Sequence, residues 1–138
     1  MTPEEAITAH HQKLVWVPPP LFHELHRFLN HKKIDEIAEF AKHRNGKDIP
    51  IIHPVSYYLK DCFTFVYPGD DLYPNDVSFY EHNYDSEKFK EKTYEELENE
   101  SNNVCRMKLK KFMFAMKMSF NTNDGLLPAR SLVSKAKL

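Results

Sequence analysis

Residues 50–70 read PIIHPVSYYLKDCFTFVYPGD, two β-branched and aromatic runs separated only by Lys60 and Asp61. Side chains of this kind suit a pleated, half-buried surface, and two polar residues between the runs fit a tight turn, so the stretch predicts a β-hairpin. The sequence continues as YPGDDLYPND over residues 67–76, where Pro68 presets φ and Gly69 can supply a positive one. That is turn chemistry, and Asp70 and Asp71 read as turn formers rather than metal ligands.

Upstream the period lengthens. Thr2-Pro3-Glu4-Glu5 offers an N-cap hydroxyl, a proline at the first helical position and a glutamate three residues after the cap, which predicts a short helix to about His11. Lys13–Val17, KLVWV, has the length and composition of a strand and stops at Pro18-Pro19-Pro20. From Pro20, the residues Leu21, Phe22, Leu25, Phe28 and Leu29 recur at spacings of three and four and predict an amphipathic helix to Leu29. Ile34, Ile37, Ala38 and Ala41, with Phe40 beside them, predict another that stops at Asn45-Gly46. Beyond the hairpin, Ser86 to about Glu100 predicts a charged surface helix with a Ser cap and apolar contacts from Phe89, Tyr94 and Leu97. CRMKLKKFMFAMKMSF, residues 105–120, alternates Met107 and Leu109, then Phe112, Phe114, Met116, Met118 and Phe120; the register change at Lys110-Lys111 predicts a bulge or a short turn. Internal repeats and low-complexity segments are absent from the sequence.

At 138 residues the chain is one domain. Lys plus Arg number 19 against 20 Asp plus Glu, so the sequence builds no broad positive field of the kind a phosphate backbone rewards, and nucleic acid is not an expected partner. The N-terminus lacks the basic and apolar regions of a secretory signal, and no apolar run approaches membrane-spanning length. The expectation is a soluble intracellular protein. Cys62 and Cys105 stand far apart without a second pair, which suggests neither a zinc cluster nor a disulfide framework.

The order of these segments brings a resemblance. Thr2-Pro3-Glu4-Glu5-Ala6, the stretch from Trp16 to Glu24, Pro68 to Tyr73, and a chain ending in Ala136-Lys137-Leu138 together resemble the C-terminal half of the peroxisomal Nudix acyl-coenzyme A diphosphatases of the moiety X motif 19 type. In that family a Ser-Pro-x-Glu-Ala helix, a Trp-Leu-x-Pro-Pro-x-Phe-Tyr-Glu stretch and a Pro-Gly-Asp-Glu-Leu-Tyr turn follow the Nudix fold, and the chains end in a peroxisomal signal. The resemblance implies a mixed α/β fold, the C-terminal portion of a Nudix-like fold ordered helix–strand–helix–helix–hairpin–helix–strand(s), with an incomplete sheet. It implies one region over residues 1–127 and a flexible tail over 128–138. It also implies coenzyme A derivatives as ligands. Pro20–Leu29 would begin at the end of a strand, where α/β folds place ligands, so Phe22 and Leu25 are candidate walls of an acyl or pantetheine pocket. The plainer expectation for both is the hydrophobic core.

The family's chemistry has no place in this sequence. Nudix hydrolysis depends on a Gly-x5-Glu-x7-Arg-Glu-x-x-Glu-Glu-x-Gly box whose glutamates hold magnesium or manganese. Here Phe, Asn, Met and Ser follow Arg27, Arg44, Arg106 and Arg130, and glycines occur only at 46, 69 and 125. No catalytic residue and no metal site is expected in this chain; Mg or Mn belongs to an intact family member. The resemblance therefore implies either a truncated acyl-coenzyme A diphosphatase, inactive alone, or a non-catalytic peroxisomal protein that binds a partner or acyl-coenzyme A. An unrelated small α/β protein would not explain the order of the motifs.

Three further patterns resolve to bland readings. His23-Glu24-Leu25-His26 departs from the zincin motif, because Arg27 stands where its second His is required. The glutamates at 95, 96, 98 and 100 read as a solvated helix face, and Lys108, Lys110, Lys111 and Lys117 interleave with apolar residues as in any half-buried strand. The C-terminus is different. Ala136-Lys137-Leu138 is the small, basic, aliphatic triplet read by the peroxisomal import receptor, which makes that receptor the expected partner and the peroxisome the expected location.

Overall fold

A computed structural model of the chain describes residues 1–44, 46, 52–78, 84–110 and 115–121. Its elements are α1 (Pro3–His11), α2 (Pro19–Phe28), α3 (Ile34–His43), β1 (Val55–Tyr58), β2 (Phe63–Val66), α4 (Tyr94–Glu100), β3 (Cys105–Leu109) and β4 (Met116–Phe120). The four strands form one antiparallel sheet in the order β1-β2-β3-β4. The result is mixed α/β and fits a partial Nudix-like domain. The chain turns from β1 to β2 at Lys60-Asp61, where the Leu59 N–H donates to the Cys62 carbonyl at 2.8 Å. After β2 the Tyr67–Asp70 turn follows the sequence pattern, with Pro68 at its second position and Gly69 at φ +95° at its third. Strands β3 and β4 pair as Met107 with Met118 and Leu109 with Met116, and the bulge or short turn expected at Lys110-Lys111 runs into residues 111–114, outside the described residues.

Side-chain alternation gives the sheet two buried faces. Phe65, Cys105, Met107, Leu109, Met116, Met118 and Phe120 meet Ile7, Val17, Phe22 and Leu25 from the α1–α2 side. The opposite face places Val55, Tyr57 and Val66 against Tyr94 and Leu97 of α4, with Leu72, Tyr73 and Phe89 around them. Each large residue so enclosed contributes about 1.5–3 kcal/mol of transfer free energy. The outer edge of β1 is closed by the segment after residue 83: the N–H groups of Ser56, Tyr58 and Lys60 donate to the Tyr84 hydroxyl, the Ser86 carbonyl and the Lys92 carbonyl at 3.1, 2.9 and 2.9 Å. No strand pairs with the outer edge of β4 among the described residues. Strands left open in this way are where further chains add.

Two predicted elements differ. Lys13–Val17 is not a strand. Helix α1 ends in a Schellman motif, in which Lys13 takes a left-handed φ of 61° while the Lys13 and Leu14 N–H groups donate to the carbonyls of His10 and Ala9, both at 2.9 Å. The Val17 N–H then goes to His10 Nδ1 at 3.1 Å. The segment's amides are spent on the helix end, and Leu14 and Trp16 are exposed. The helix predicted from Ser86 begins only at Tyr94. Thr93 and Glu96 form a capping box there, and residues 85–92 run as successive turns whose carbonyls at 86 and 92 serve β1 instead of a helix ladder.

The capping box expected of Thr2 and Glu5 is present at α1. Helix α3 is amphipathic in sequence but buries none of its residues among those described, and Ile34 is 83% exposed.

Candidate functional site

Phe22 is 0% exposed and forms the centre of the α1–α2 contact, its ring 5.1 Å from that of His10, 5.7 Å from His11 and 4.5 Å from His26. Leu25 is half-buried against the same cluster. Both sit as core residues, and neither lines the groove described below. Ala136, Lys137 and Leu138 lie outside the described residues, as do Lys111, Phe112 and Phe114.

Around Phe22 the chain buries three histidines, His10, His23 and His26. A backbone N–H can only donate, so His10 accepts at Nδ1 from Val17 and is neutral. His26 lies 2.8 Å from the Phe22 carbonyl and must donate from Nδ1. Burial pulls its pKa down to about 4, with His11 and His23 adding repulsion against the charged form. The His23 ring stacks on Tyr67 at 4.1 Å and 9°. Its Nδ1 is 3.2 Å from Glu24, whose carboxyl that hydrogen bond holds below the usual range. These rings are packing elements, and no group of three or more His, Cys, Asp or Glu among the described residues could hold a metal ion.

On the other face Arg106, 0% exposed, forms a bidentate pair with Asp70, Nε to Oδ2 and Nη2 to Oδ1, each at 2.7 Å. Asp70 also accepts from the Cys105 N–H at 2.7 Å and the Leu72 N–H at 2.9 Å. The turn-forming role read from the sequence is therefore real but partial. Asp71 accepts from the backbone of Asn102 and Asn103 and from the Asn103 side chain, which keeps its carboxyl below the usual range. Tyr94 completes the layer by donating to Ser119 Oγ at 3.0 Å.

A groove of about 520 Å³ opens between the start of α2 and the β1–β2 turn, lined by Pro19, Tyr58, Leu59, Phe63, Phe65 and Leu109, with Cys62, Lys60, Asp61 and Lys110 completing it. Its aromatic rings pack edge to face, Tyr58 on Phe63 at 5.2 Å and Phe63 on Phe65 at 5.0 Å. Burial and the neighbouring Asp61 push the Cys62 thiol up to about 12, so it stays protonated and serves as apolar lining. Asp61 accepts from the Tyr94 N–H and the Lys108 ammonium, both at 2.8 Å, so the β-turn anchors the start of α4. Sequence reading missed this site because it joins positions 19, 58–65 and 109–110. No helix among the described residues is long and apolar enough to cross a membrane.

Comparison with known proteins follows the sheet. The family model described as the NUDT19 C-terminal domain matches residues 56–114, from β1 into the segment after β3. Acyl-coenzyme A diphosphatase NUDT19 of Xenopus laevis is 36% identical over 75 residues, which cover 54% of this chain and 20% of that protein. The proteins of the same name from Gallus gallus and Homo sapiens are 32% and 30% identical over 78 and 95 residues, covering 56% and 69% of this chain but 21% and 25% of theirs. The chain thus spans a fifth to a quarter of the length of these curated relatives. No solved structure matches it. By sequence, then, the chain is related to the C-terminal domain of the NUDT19-type acyl-coenzyme A diphosphatases.

Proposed function

We propose that this chain acts as the C-terminal, non-catalytic part of a Nudix hydrolase that cleaves the diphosphate of coenzyme A and acyl-coenzyme A in peroxisomes. The match of residues 56–114 to the NUDT19 C-terminal domain supports this reading. With no Nudix box in the sequence, the carboxylates that would hold Mg or Mn against the diphosphate must come from outside this chain. Purified chain incubated with acyl-coenzyme A and either metal is expected to release no phosphopantetheine, since metal-held charge at the diphosphate is the dominant catalytic term. Metal-dependent release would overturn the proposal.

A second reading is a non-catalytic peroxisomal protein that binds acyl-coenzyme A or a partner; the groove at the β1–β2 turn favours it. Both readings include the import receptor as a partner through Ala136-Lys137-Leu138. A fluorescent protein fused to the N-terminus should collect in peroxisomes and disperse when Leu138 is deleted. A diffuse signal from the intact fusion, beside an imported Ser-Lys-Leu control, would remove the peroxisome from both.

A further inference from the structure

We propose that the connection between α1 and α2 docks on a membrane surface, with Leu14, Val15 and Trp16 entering the interfacial layer of a bilayer that carries anionic headgroups. These three successive apolar residues are 73%, 36% and 51% exposed, whereas His10, Val17 and Phe22 on either side of them are buried. Neighbouring large apolar side chains held in water mark a contact surface, unlike single ones scattered over a protein. The backbone behind them suits lipid. The Lys13 and Leu14 N–H groups donate back into α1, the Val17 N–H goes to His10 Nδ1, and Pro18, Pro19 and Pro20 have no N–H. Over residues 13–20 only Val15 and Trp16 keep an amide for water, and unpaired amides are what lipid penalises most. A protein partner adding a strand would need the reverse, a row of free amides.

The charge of the segment points the same way. Between Glu5 and Glu24 the sequence has no Asp or Glu, and Lys13 stands directly beside Leu14. Asp61, which lines the groove next to Pro19, is paired with Lys108 at 2.8 Å. Tryptophan with aliphatic neighbours settles at headgroup level, and a flanking lysine can lay its stem along the acyl boundary while its ammonium meets an anionic headgroup. Helix α3 offers the contrast. Its Ile34 is more exposed still, at 83%, but Asp35, Glu36 and Glu39 share that helix with one lysine, Lys42, and an anionic surface would repel it. The inference stands on the α1–α2 connection alone and does not depend on the relation to the diphosphatases.

Trp16 is the only tryptophan in the chain, so its fluorescence reports on this connection directly. The full chain is titrated with vesicles of phosphatidylcholine, alone or mixed with phosphatidylglycerol, and bound protein is separated by flotation. On the mixed vesicles Trp16 emission is expected to shift to the blue, to be shielded from acrylamide and to be quenched by phospholipids brominated in their acyl chains. The double variant Leu14→Ser, Trp16→Ser, shown folded by circular dichroism, should partition at least about tenfold more weakly by flotation. Lys13→Asn keeps a residue that tolerates the left-handed φ of 61° and should lose about fivefold on the mixed vesicles, with little change on phosphatidylcholine alone. Ile34→Ser should partition as the parent chain does. Absence of flotation with the mixed vesicles, an unshifted Trp16 in floated protein, unchanged partitioning of the double variant or of Lys13→Asn, or loss of partitioning in Ile34→Ser would each overturn the proposal. A blue shift that grows with protein concentration in the absence of vesicles would assign the surface to a second copy of the chain and overturn it equally. None of these measurements reads hydrolysis, so their failure is separable from failure of the family reading.

Discussion

On the face of the sheet covered by α1 and α2, the buried polar groups are three imidazoles, His10, His23 and His26, packed on Phe22 and Tyr67, and the Arg27 guanidinium of α2. On the face covered by α4, they are a guanidinium and a carboxylate, Arg106 and Asp70, with Tyr94 and Ser119 beside them. Both layers close a similar apolar strand surface, yet they meet the desolvation problem differently. In the first layer His26 avoids the cost of a buried charge by staying neutral, burial pulling its pKa down to about 4, which works only while the pH keeps that ring unprotonated. The arginine layer buries its charge together with a counter-charge and satisfies the carboxylate four times over, so it is intolerant of losing one partner.

The largest expected effect breaks the second layer. Asp70→Ala strands the Arg106 guanidinium and removes the acceptor for the Cys105 and Leu72 amides, and it should cost about 3–5 kcal/mol in denaturant unfolding. Adding Arg106→Leu should return part of that loss, because the stranded charge is gone. A double mutant as unstable as the sum of the singles would mean that the pair is not the source of the sensitivity.

The next effect belongs to the histidine layer and appears with pH. His26 titrates at about 4 in the fold, well below the ~6.5 of a free histidine. The unfolded chain therefore takes up the proton first as the pH falls, so the stability due to neutral His26 is intact above about 6.5 and is lost progressively toward 4. The full loss from this one ring is on the order of 3 kcal/mol, and burial lowers His11 in the same direction. His26→Asn keeps a donor for the Phe22 carbonyl without a titrating ring. Unfolding free energies between pH 7 and pH 4.5 should fall less steeply in that variant; an unchanged slope would place the acid sensitivity elsewhere.

What the sequence disclosed about these layers follows the range of the interactions. Local chemistry was legible: the Thr2–Glu5 capping box, the Lys60-Asp61 turn and the positive φ of Gly69 are each written within four residues. Two local readings failed because a stronger local signal lay beside them. Lys13–Val17 has strand composition, but the Schellman end of α1 consumes its first amides; Ser86 is a plausible cap, but Thr93-x-x-Glu96 caps better and residues 86 and 92 are needed by β1. Long-range partners left weaker traces. Asp70 and Arg106 are 36 positions apart, and the only hint was an arginine within the strand CRMKL, whose first three residues are buried. The groove left no trace, since its aromatic walls read simply as hairpin.

The smallest expected effect concerns α3, which belongs to neither layer. Its apolar positions recur at helical spacing as clearly as those of α2, yet α2 encloses Phe22 and α3 encloses nothing among the described residues. Periodicity predicts that a helix has an apolar side; it does not say whether a sheet will meet it. If burial rather than pattern sets the energy, Ile34→Ser should change stability by less than about 0.5 kcal/mol, while Phe22→Ala at the corresponding apolar stripe of α2 should cost about 3–5 kcal/mol. The pair is measured side by side by chemical denaturation of the same chain. A loss of more than about 1 kcal/mol at Ile34, well above the surface range, would mean that α3 has a docked position in solution and that the chain is held by three layers rather than two.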